Sequence, residues 1–286
     1  MMKTRPIATP SRTKEILAAH DMFAKKNYGQ NFLVDPSVVE KIARHAVVSD
    51  HCVALEIGPG IGALTQYLCE YAQKVVSFEI DERLPEVLAD TLSAYDNFEL
   101  VMQDFLNVDL NAYVKQYIEE GYDVVIAANL PYYITTPILF KIFESNAPIS
   151  AITVMMQKEV ADRFNAVVNT KEYNALSIVT QYRCHVKSVM KVPKNVFMPK
   201  PSIDSAVLQF TFKEKEDLDE DAFFELVKSC FKQRRKTILN NYGEYVGDKQ
   251  KARKVLESAG IEEKRRAESL TLEEFQHLYE VHCHEN

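Results

Sequence analysis

Short apolar runs alternate with amphipathic stretches between residue 52 and about residue 157. The runs have the length of strands, whereas the stretches between them follow the helical period. Alternation at this spacing is typical of βαβ units, in which helices cover both faces of a parallel sheet. The predicted strands are Cys52–Ile57, Lys74–Ile80, Phe98–Gln103, Tyr122–Ala128 and Ala151–Gln157, and the predicted helices are Leu64–Tyr71, Leu84–Leu92 and Pro137–Glu144.

The pattern changes after Lys158. Two helical stretches, to about Val168 and at Asn174–Tyr182, precede strand-like runs at Arg183–Val192 and Ser205–Phe212. The charged segment 213–221 has no apolar period and is typical of a linker. The sequence therefore predicts an α/β domain of residues 1–213, whose first fifty residues form a basic, helical extension, and a separate domain of residues 218–286.

The C-terminal segment has a helical pattern throughout. Its predicted helices are Phe223–Leu239, Lys249–Ser258 and Leu272–Val281. Gly260 is placed to end the middle helix, and Thr271 is placed to cap the last one with Glu274 three residues later. We expect a small all-α domain of about seventy residues.

Composition narrows the class of protein. The chain has 286 residues, 47% of them hydrophobic and 26% charged, which is enough to bury a core. No apolar run reaches the roughly 18 residues of a membrane span, and the basic start lacks the apolar part of a secretory signal. The five scattered cysteines form no C-x-x-C pair, as expected for reduced thiols. We expect a cytoplasmic, monomeric protein that does not bind a membrane.

Charge is distributed unevenly along the chain. The net charge is −7, but residues 226–266 hold twelve basic and five acidic residues, and residues 1–26 hold six basic and two acidic ones. Local patches rather than the total set an electrostatic footprint, so a nucleic-acid partner remains compatible with the acidic total. The tail 282–284, His-Cys-His, is a poor metal site because adjacent residues rarely converge on one ion. No metal is predicted.

A glycine-rich loop follows the first predicted strand of the α/β region. In LEIGPGIGA, residues 55–63, Gly58 and Gly60 allow a tight turn and a close approach of the backbone to a ligand. Glu79 ends the next strand about twenty residues on, where it is placed to hold a ribose. The loop indicates a nucleotide-type cofactor, but it also fits the nicotinamide pattern G-x-G-x-x-A, so it does not identify the cofactor.

Polar residues also end the next two strands. Asp104 closes the third strand, where its carboxylate is placed to accept a hydrogen bond from an adenine amine, and Asn129 closes the fourth. Ligands of open α/β sheets bind across the carboxyl ends of the strands. We therefore expect Gly58, Glu79, Asp104 and Asn129 to face one crevice.

The segment NLPYY, residues 129–133, has more than a turn requires. A turn explains the asparagine and the proline but not two tyrosines. If the crevice binds S-adenosylmethionine, the Asn129 side-chain oxygen and the Leu130 carbonyl are suitable acceptors for the protons of an adenine amine. Tyr132 offers a face on which that base can stack.

Six segments together resemble one family. Asn129-Leu-Pro-Tyr132 resembles the N/D-P-P-Y/F/W signature of amino-methyltransferases, with Leu130 in place of the first proline. YGQNFL, EIGPGIGALT, FEID, NLPYYITTPIL, FMPKPSIDSAV and FKQRRKTILNN are similar, in order, to the KsgA-type (RsmA) small-subunit ribosomal RNA adenine dimethyltransferases. The resemblance covers most of the chain. It implies a Rossmann-like, class I methyltransferase fold with a seven-stranded, mostly parallel sheet, a helical C-terminal domain, and transfer of two methyl groups to each of two adjacent adenosines near the 3′ end of small-subunit rRNA.

The resemblance also implies roles for individual residues. S-adenosylmethionine is expected at Asn31, Leu33, Gly58, Gly60, Glu79, Asp104 and Asn129. Asn129 and Tyr132 are expected to act on the target base, and Phe197 takes the position of a second aromatic residue that sandwiches it. By themselves, the segment around Asn31 is equally compatible with a helix cap and Phe197 with a core residue. Since FMPKP is interrupted by prolines, we expect a fixed loop to present Phe197.

The cluster Lys232, Arg234, Arg235 and Lys236 has two interpretations. It lies in a helical pattern, so it is either a solvated helix face or a set of phosphate contacts to RNA, and the basic segments of an acidic protein favour the second. The implied partner is small-subunit rRNA or an immature small ribosomal subunit.

Three other functions remain open. They are an Erm-type large-subunit rRNA methyltransferase, an assembly factor for which methylation is secondary, and a nicotinamide-dependent reductase. The reductase is disfavoured because no catalytic His or Tyr-x-x-x-Lys pattern follows the loop.

Overall fold

The computed structural model describes residues 4–22, 31–130, 134–214 and 218–285, and within these ranges the chain forms nine strands and twelve α-helices. The strands are β1 (Phe32–Leu33), β2 (Cys52–Ile57), β3 (Lys74–Glu79), β4 (Phe98–Met102), β5 (Asp123–Asn129), β6 (Ala151–Gln157), β7 (Cys184–Val192), β8 (Phe197–Met198) and β9 (Ser205–Phe212). The helices are α1 (Pro10–Ala19), α2 (Pro36–Ala46), α3 (Ala63–Tyr71), α4 (Leu84–Thr91), α5 (Leu110–Glu119), α6 (Thr135–Glu144), α7 (Lys158–Phe164), α8 (Ala175–Arg183), α9 (Glu220–Cys230), α10 (Ile238–Val246), α11 (Lys249–Ser258) and α12 (Leu272–His284). No helix in these ranges is long and apolar enough to cross a membrane.

A seven-stranded sheet in the order β4-β3-β2-β5-β6-β9-β7 is the centre of the first compact unit. The strands from β4 to β6 are parallel, and β9 runs antiparallel to β6. The predicted mostly parallel, seven-stranded sheet is therefore confirmed. The strand order reverses direction between β2 and β5, which places a ligand crevice at the carboxyl ends of these strands.

Burial explains why the central strands could be predicted from the sequence. Every residue of β2 is buried, because helices cover both faces of a parallel sheet and the strand is consequently apolar almost throughout. The edge strand β4 is only partly buried and contains Glu99 on its exposed side. The predicted bounds of β2, β6 and β9 agree with the structure, those of β3, β4 and β7 differ by one residue at one end, and those of β5 differ by one residue at both ends. The short strands β1 and β8 were not predicted.

The segment before β2 is helical, as expected for the N-terminal extension. Helix α2 begins after Asp35, whose Oδ1 accepts hydrogen bonds from the N–H groups of Ser37 and Val38, at 2.9 and 3.4 Å. Just before it, β1 pairs antiparallel with β8, so that Leu33 lies opposite Phe197. The expectation that a loop presents Phe197 is therefore wrong: a two-residue strand does, because backbone pairing with β1 provides the order that the surrounding prolines do not.

The second compact unit comprises Asp162–Val186 and Lys213–Asn286. Residues 162–186 belong to it because Tyr182 packs on Phe223 and Phe224 and because the Tyr173 hydroxyl donates to the Leu270 carbonyl oxygen at 2.9 Å. The compact units divide between Phe212 and Lys213, beside the domain boundary expected at residues 213–218, but residues 162–186, which the prediction placed in the first domain, belong to the second unit. The helical nature of residues 218–285 is confirmed, and Thr271 and Glu274 form the predicted capping box.

One predicted helix is wrong. Phe223–Leu239 is not continuous: α9 ends at Cys230, residues 231–237 form a turn, and α10 begins at Ile238. The buried amide of Asn241 donates to the carbonyl oxygens of Cys230 and Gln233, at 2.8 and 3.1 Å. These bonds satisfy carbonyl groups at the end of a helix, which otherwise lack partners. A contact from the following helix therefore ends α9, although no glycine or proline marks the position.

Candidate active site

A crevice at the carboxyl ends of β4, β3, β2 and β5 brings together most of the predicted site residues. Those that line it are Asn31, Leu33, Gly58, Gly60, Glu79, Asp104, Asn129 and Phe197. They come from six separate segments of the first unit, so only the fold places them on one cavity. Tyr132 lies outside the described residues.

The glycine loop follows β2 and has left-handed backbone conformations. Gly58 and Gly60 have φ angles of +70° and +56°, which side chains rarely adopt. A Cβ atom on Gly58 would meet nothing within 4 Å, so this position leaves room along the crevice. The Gly58 N–H donates to the Phe78 carbonyl oxygen at 3.0 Å, which fixes the loop to β3. Gly58 and Gly60 thus allow a ligand to approach the backbone of the loop, although Pro59 and Ile61 also line the crevice.

Glu79 is the last residue of β3, as predicted. Its Oε1 accepts hydrogen bonds from the N–H groups of Ile80 and Asp81, at 2.8 and 2.9 Å. Burial raises the pKa of this carboxyl, while the hydrogen bonds from Asp81, Ile80 and Gly60 act to lower it. The backbone therefore fixes the orientation of a carboxylate that is placed to accept hydrogen bonds from a diol.

Asp104 lies two residues beyond the end of β4. Its Oδ1 accepts a hydrogen bond from the Leu106 N–H at 2.9 Å and caps a short 3-10 helix, Phe105–Asn107. Phe105 is buried against Phe78, with ring centroids 5.4 Å apart. This cap holds a half-buried carboxylate next to an aromatic ring, which is an arrangement suited to a polar, planar group such as a purine.

Asn129 ends β5 on the other side of β2. The chain beyond it stays beside the sheet, because the Leu130 N–H donates to the Met155 carbonyl oxygen at 3.2 Å. The neighbouring part of the cavity wall is apolar and includes Leu130, Ile138 and Phe197. An amide at the edge of an apolar wall can orient the amine of a base whose ring contacts that wall.

Glu56 also lines the crevice and is a site residue that the motifs did not reveal. It is the penultimate residue of β2 and only 1% exposed. Its Oε2 accepts hydrogen bonds from the hydroxyls of Thr65 and Ser77, both at 2.7 Å. Burial raises the pKa of Glu56 to about 7. An acid within an otherwise apolar strand, CVALEI, is the signal that could have identified it.

The charges of the crevice are of one sign. Four acidic residues line it (Glu56, Glu79, Asp81 and Asp104), and no lysine or arginine does so among the residues that the structure describes. Asp81 is paired with Arg83, which lies outside the lining. A dinucleotide carries a negatively charged pyrophosphate, whereas a sulfonium compound is cationic. The wall therefore suits the sulfonium compound.

The basic cluster lies in the second unit, in the turn between α9 and α10. The expectation that these residues lie in a helix is wrong, for the reason given above. Lys232 pairs with Glu244, and Arg234 Nε lies 2.8 Å from a carboxylate oxygen of Glu268. Arg235 and Lys236 are exposed, and neither has an ion pair within the described part of the chain. The structure thus divides the predicted cluster into two cations in ion pairs and two without one, although the pKa of the Glu244 carboxyl is lowered not only by Lys232 but also, through space, by Lys236.

The sheet, the glycine loop and the acids at successive strand ends define a class I methyltransferase. Similar solved structures include a dimethyladenosine transferase from Plasmodium falciparum (26% identity, TM-score 0.74, 88% of this chain and 98% of that one). Another is the 23S rRNA methyltransferase ErmE (26% identity, TM-score 0.67, 88% and 99%).

Sequence comparison identifies the family. The model of the ribosomal RNA adenine dimethylase family matches residues 22–281. Curated relatives named ribosomal RNA small subunit methyltransferase A are 50% identical over 281 residues in Oceanobacillus iheyensis (96% of each chain) and 46% identical over 284 residues in Bacillus pumilus (97% of each chain). The chain belongs to the ribosomal RNA adenine dimethylase family, and it is an enzyme.

Proposed function

We propose that the protein transfers methyl groups from S-adenosylmethionine to the exocyclic amines of two adjacent adenosines near the 3′ end of small-subunit rRNA, giving dimethyladenosines. The observation that carries this proposal is the single crevice that holds Glu79, Asp104 and Asn129 at successive strand ends and has no basic residue in its described wall. Relatives with 46–50% identity over almost the whole chain are named for the small subunit, which favours that substrate over the large subunit.

Each strand end has a distinct role in binding the cofactor. Glu79 accepts hydrogen bonds from the ribose hydroxyls, since the backbone already fixes its carboxylate. Asp104 accepts one from the adenine amine, and the Gly58–Gly60 loop lies against the methionine part. Asn31 and Leu33, from the segment that contains β1, also line the crevice and contact the cofactor. S-adenosylmethionine supplies a methyl group bound to a positively charged sulfur, which is the leaving group.

The target amine is a poor nucleophile because its lone pair is delocalised into the ring. Acceptors aimed at its two protons favour the pyramidal geometry that the transition state needs. The Asn129 side-chain oxygen and the Leu130 carbonyl oxygen are these acceptors, and Phe197 contacts a face of the base. The N–C bond forms as the C–S bond breaks, and the amine then releases a proton, so a strong general base is not required.

RNA binding is assigned to the basic turn of the second unit. Arg235 and Lys236 contact rRNA phosphates, since no acidic side chain of the described chain pairs with them. Lys232 and Arg234 contribute less because Glu244 and Glu268 already neutralise them. The partner is an immature small ribosomal subunit. The monomeric state and the cytoplasmic location stay predictions.

The proposal is tested by methyl transfer to defined substrates. Purified protein is incubated with labelled S-adenosylmethionine and with small subunits that lack the modification, and the modified bases are mapped. We expect label at two adjacent adenosines near the 3′ end of the RNA. Label on large-subunit RNA alone would favour the Erm-type function. Tight subunit binding without turnover would favour the assembly factor, and hydride transfer from NADH without methyl transfer would favour the reductase.

A further inference from the structure

A basic segment of the first unit has no part in the roles above. Residues 187–203 contain four lysines and no acidic residue, although the whole chain has a net charge of −7. These β7–β8 lysines are Lys187 and Lys191 on β7, Lys194 two residues after β7, and Lys200 two residues after β8. None of them forms an ion pair within the described part of the chain. Their positive charges are therefore left for a partner outside the protein.

The two lysines of β7 lie on one face of an edge strand. β7 is the last strand of the seven-stranded sheet. Lys187 and Lys191 are four residues apart, so the alternation of side chains along a strand places them on the same face, and both are exposed. Lysines on an edge strand also prevent unwanted pairing with other chains. A binding role for them therefore needs a second observation.

The chain that follows β7 provides this observation, because it leads from the lysines to the crevice. Lys194 begins a short 3-10 helix, and Phe197 follows this helix in the crevice wall. The Lys194 N–H donates to Asp204 Oδ1 at 2.9 Å, and the Lys194 ammonium donates to the Ser202 carbonyl oxygen at 3.1 Å. These bonds close the loop that contains Phe197. They hold Lys194 in place and leave its positive charge without an anionic partner.

Lys194 and Lys200 lie three residues before and three residues after Phe197. Three residues of chain span at most about 11 Å, so the backbones of both lysines are close to the side of the crevice assigned to the target base. Lys200 is exposed and stands between Pro199 and Pro201, which restrict its backbone. Less backbone entropy is then lost when Lys200 binds a ligand.

The charges around the crevice indicate a phosphodiester strand as the partner. A base that enters an enzyme pocket remains attached to its own phosphates, so these must lie near the entrance. Four acidic residues line the crevice and repel phosphates unless nearby cations offset them. The β7–β8 lysines supply cations next to Phe197, on the side of that base. This position favours an RNA strand over an acidic protein surface.

We propose that the β7–β8 lysines bind the phosphates of the RNA strand on both sides of the target base, an assignment that rests on the proposed function. Lys194 and Lys200 contact the phosphates nearest to the base and so position it against Phe197. Lys187 and Lys191 extend the contact along the strand. This surface belongs to the first unit, so it binds RNA in addition to the basic turn of the second unit.

The first test compares two double variants that lose the same charge. In Lys194→Gln/Lys200→Gln, a glutamine at 194 can still donate to the Ser202 carbonyl. The control Lys74→Gln/Lys115→Gln removes two lysines of the same unit that already pair with glutamates. Binding to unmethylated small subunits is measured by pelleting across a salt series. The slope of log affinity against log salt should fall by up to about 1.4 in the first variant, at about 0.7 per contact to a single strand, and stay nearly unchanged in the control.

Steady-state methyl transfer gives an independent readout of the same variants. In Lys194→Gln/Lys200→Gln the KM for small subunits should rise about fivefold or more, as for the loss of a charged contact. The affinity for S-adenosylmethionine should not change, since neither lysine lines the crevice. An unaltered slope and an unaltered KM would overturn the inference.

The second test separates RNA binding from protection of the sheet edge. Lys187→Gln/Lys191→Gln should also lower the slope by up to about 1.4 and should stay soluble. Aggregation of this variant with an unchanged slope would show that Lys187 and Lys191 only protect the edge, and would overturn their assignment.

The third test locates the contact on the RNA. Of the five cysteines, Cys283 alone is exposed, so Lys200→Cys/Cys283→Ser offers one reactive thiol for attachment of iron-EDTA. Hydroxyl radicals formed there should cleave the RNA of bound subunits beside the two methylated adenosines, and cleavage only elsewhere would overturn the inference. Wild-type protein that methylates no subunit would instead contradict the proposed function, which separates the two failures.

Discussion

The ion pairs of the basic turn predict unequal contributions to RNA binding from neighbouring cations. Arg235 and Lys236 form no ion pair in the described chain and can displace counterions when they contact phosphates. Lys232 and Arg234 must first break their ion pairs with Glu244 and Glu268. Each phosphate contact adds about 0.7–0.9 to the slope of log affinity against log salt. The double substitution Arg235→Ala/Lys236→Ala should therefore reduce the slope by up to about 1.4–1.8.

The matched control is Lys232→Ala/Arg234→Ala, which removes the same charge from the same turn. We expect a clearly smaller change in slope, because Glu244 and Glu268 already neutralise these two cations, which therefore release fewer counterions from phosphates. Glu244→Gln/Glu268→Gln should do the opposite and steepen the slope, since it frees both cations.

The assay is pelleting with unmethylated small subunits across a salt series, together with S-adenosylmethionine binding. Cofactor affinity should be unchanged in all variants, because none of these residues lines the crevice. Equal slopes for the two basic double variants would show that the ion pairs do not matter. An unaltered slope in Arg235→Ala/Lys236→Ala would refute phosphate binding and make the cluster a solvated turn.

Four further predictions concern single residues. Glu79→Ala should weaken S-adenosylmethionine binding by about 1–3 kcal/mol in calorimetry, because the ribose loses a charged acceptor, and unchanged binding would refute that role. Asn129→Ala should reduce methyl transfer about 10²-fold or more with cofactor affinity nearly intact, and near-normal turnover would mean that other groups orient the amine. Asn241→Ala should lower the free energy of unfolding by about 1–3 kcal/mol in denaturant titrations, because the carbonyl groups of Cys230 and Gln233 lose their donor. An unchanged stability would show that water replaces the amide. Burial raises the pKa of Glu56 from 4.5 to about 7, so between these pH values the folded, ligand-free protein retains a proton that the unfolded chain releases. The free energy of unfolding should therefore fall as the pH rises through this range, and Glu56→Gln should lack this part of the fall. Parallel pH profiles of the two proteins would contradict the shift.

The sheet was predictable because its signals are local. The apolar run Cys52–Ile57 is followed at once by a glycine loop, and burial on both faces of the sheet requires that pattern. Asn129 and Glu79 were identified for the same reason, since polar residues at the ends of buried strands are conspicuous.

The missed features depend on distant contacts. Nothing in FKQRRKT marks the end of a helix, and the Asn241 amide that ends it lies in the next helix. Residues 162–186 join the C-terminal helices through packing of Tyr182 on Phe223, which no linker composition reveals. Glu56 was overlooked because its role depends on which hydroxyls fold against it.

The pairing of β1 with β8 has a consequence for when the enzyme becomes competent during its synthesis. Leu33 and Phe197 lie opposite each other in this small sheet, although most of the first unit separates them along the chain. Closing so long a loop is slow compared with forming local structure. A nascent chain that has already completed β2 to β6 still lacks the Phe197 side of the crevice. The crevice is thus completed only after residue 198 has left the ribosome, so a shorter nascent chain should not form the complete site.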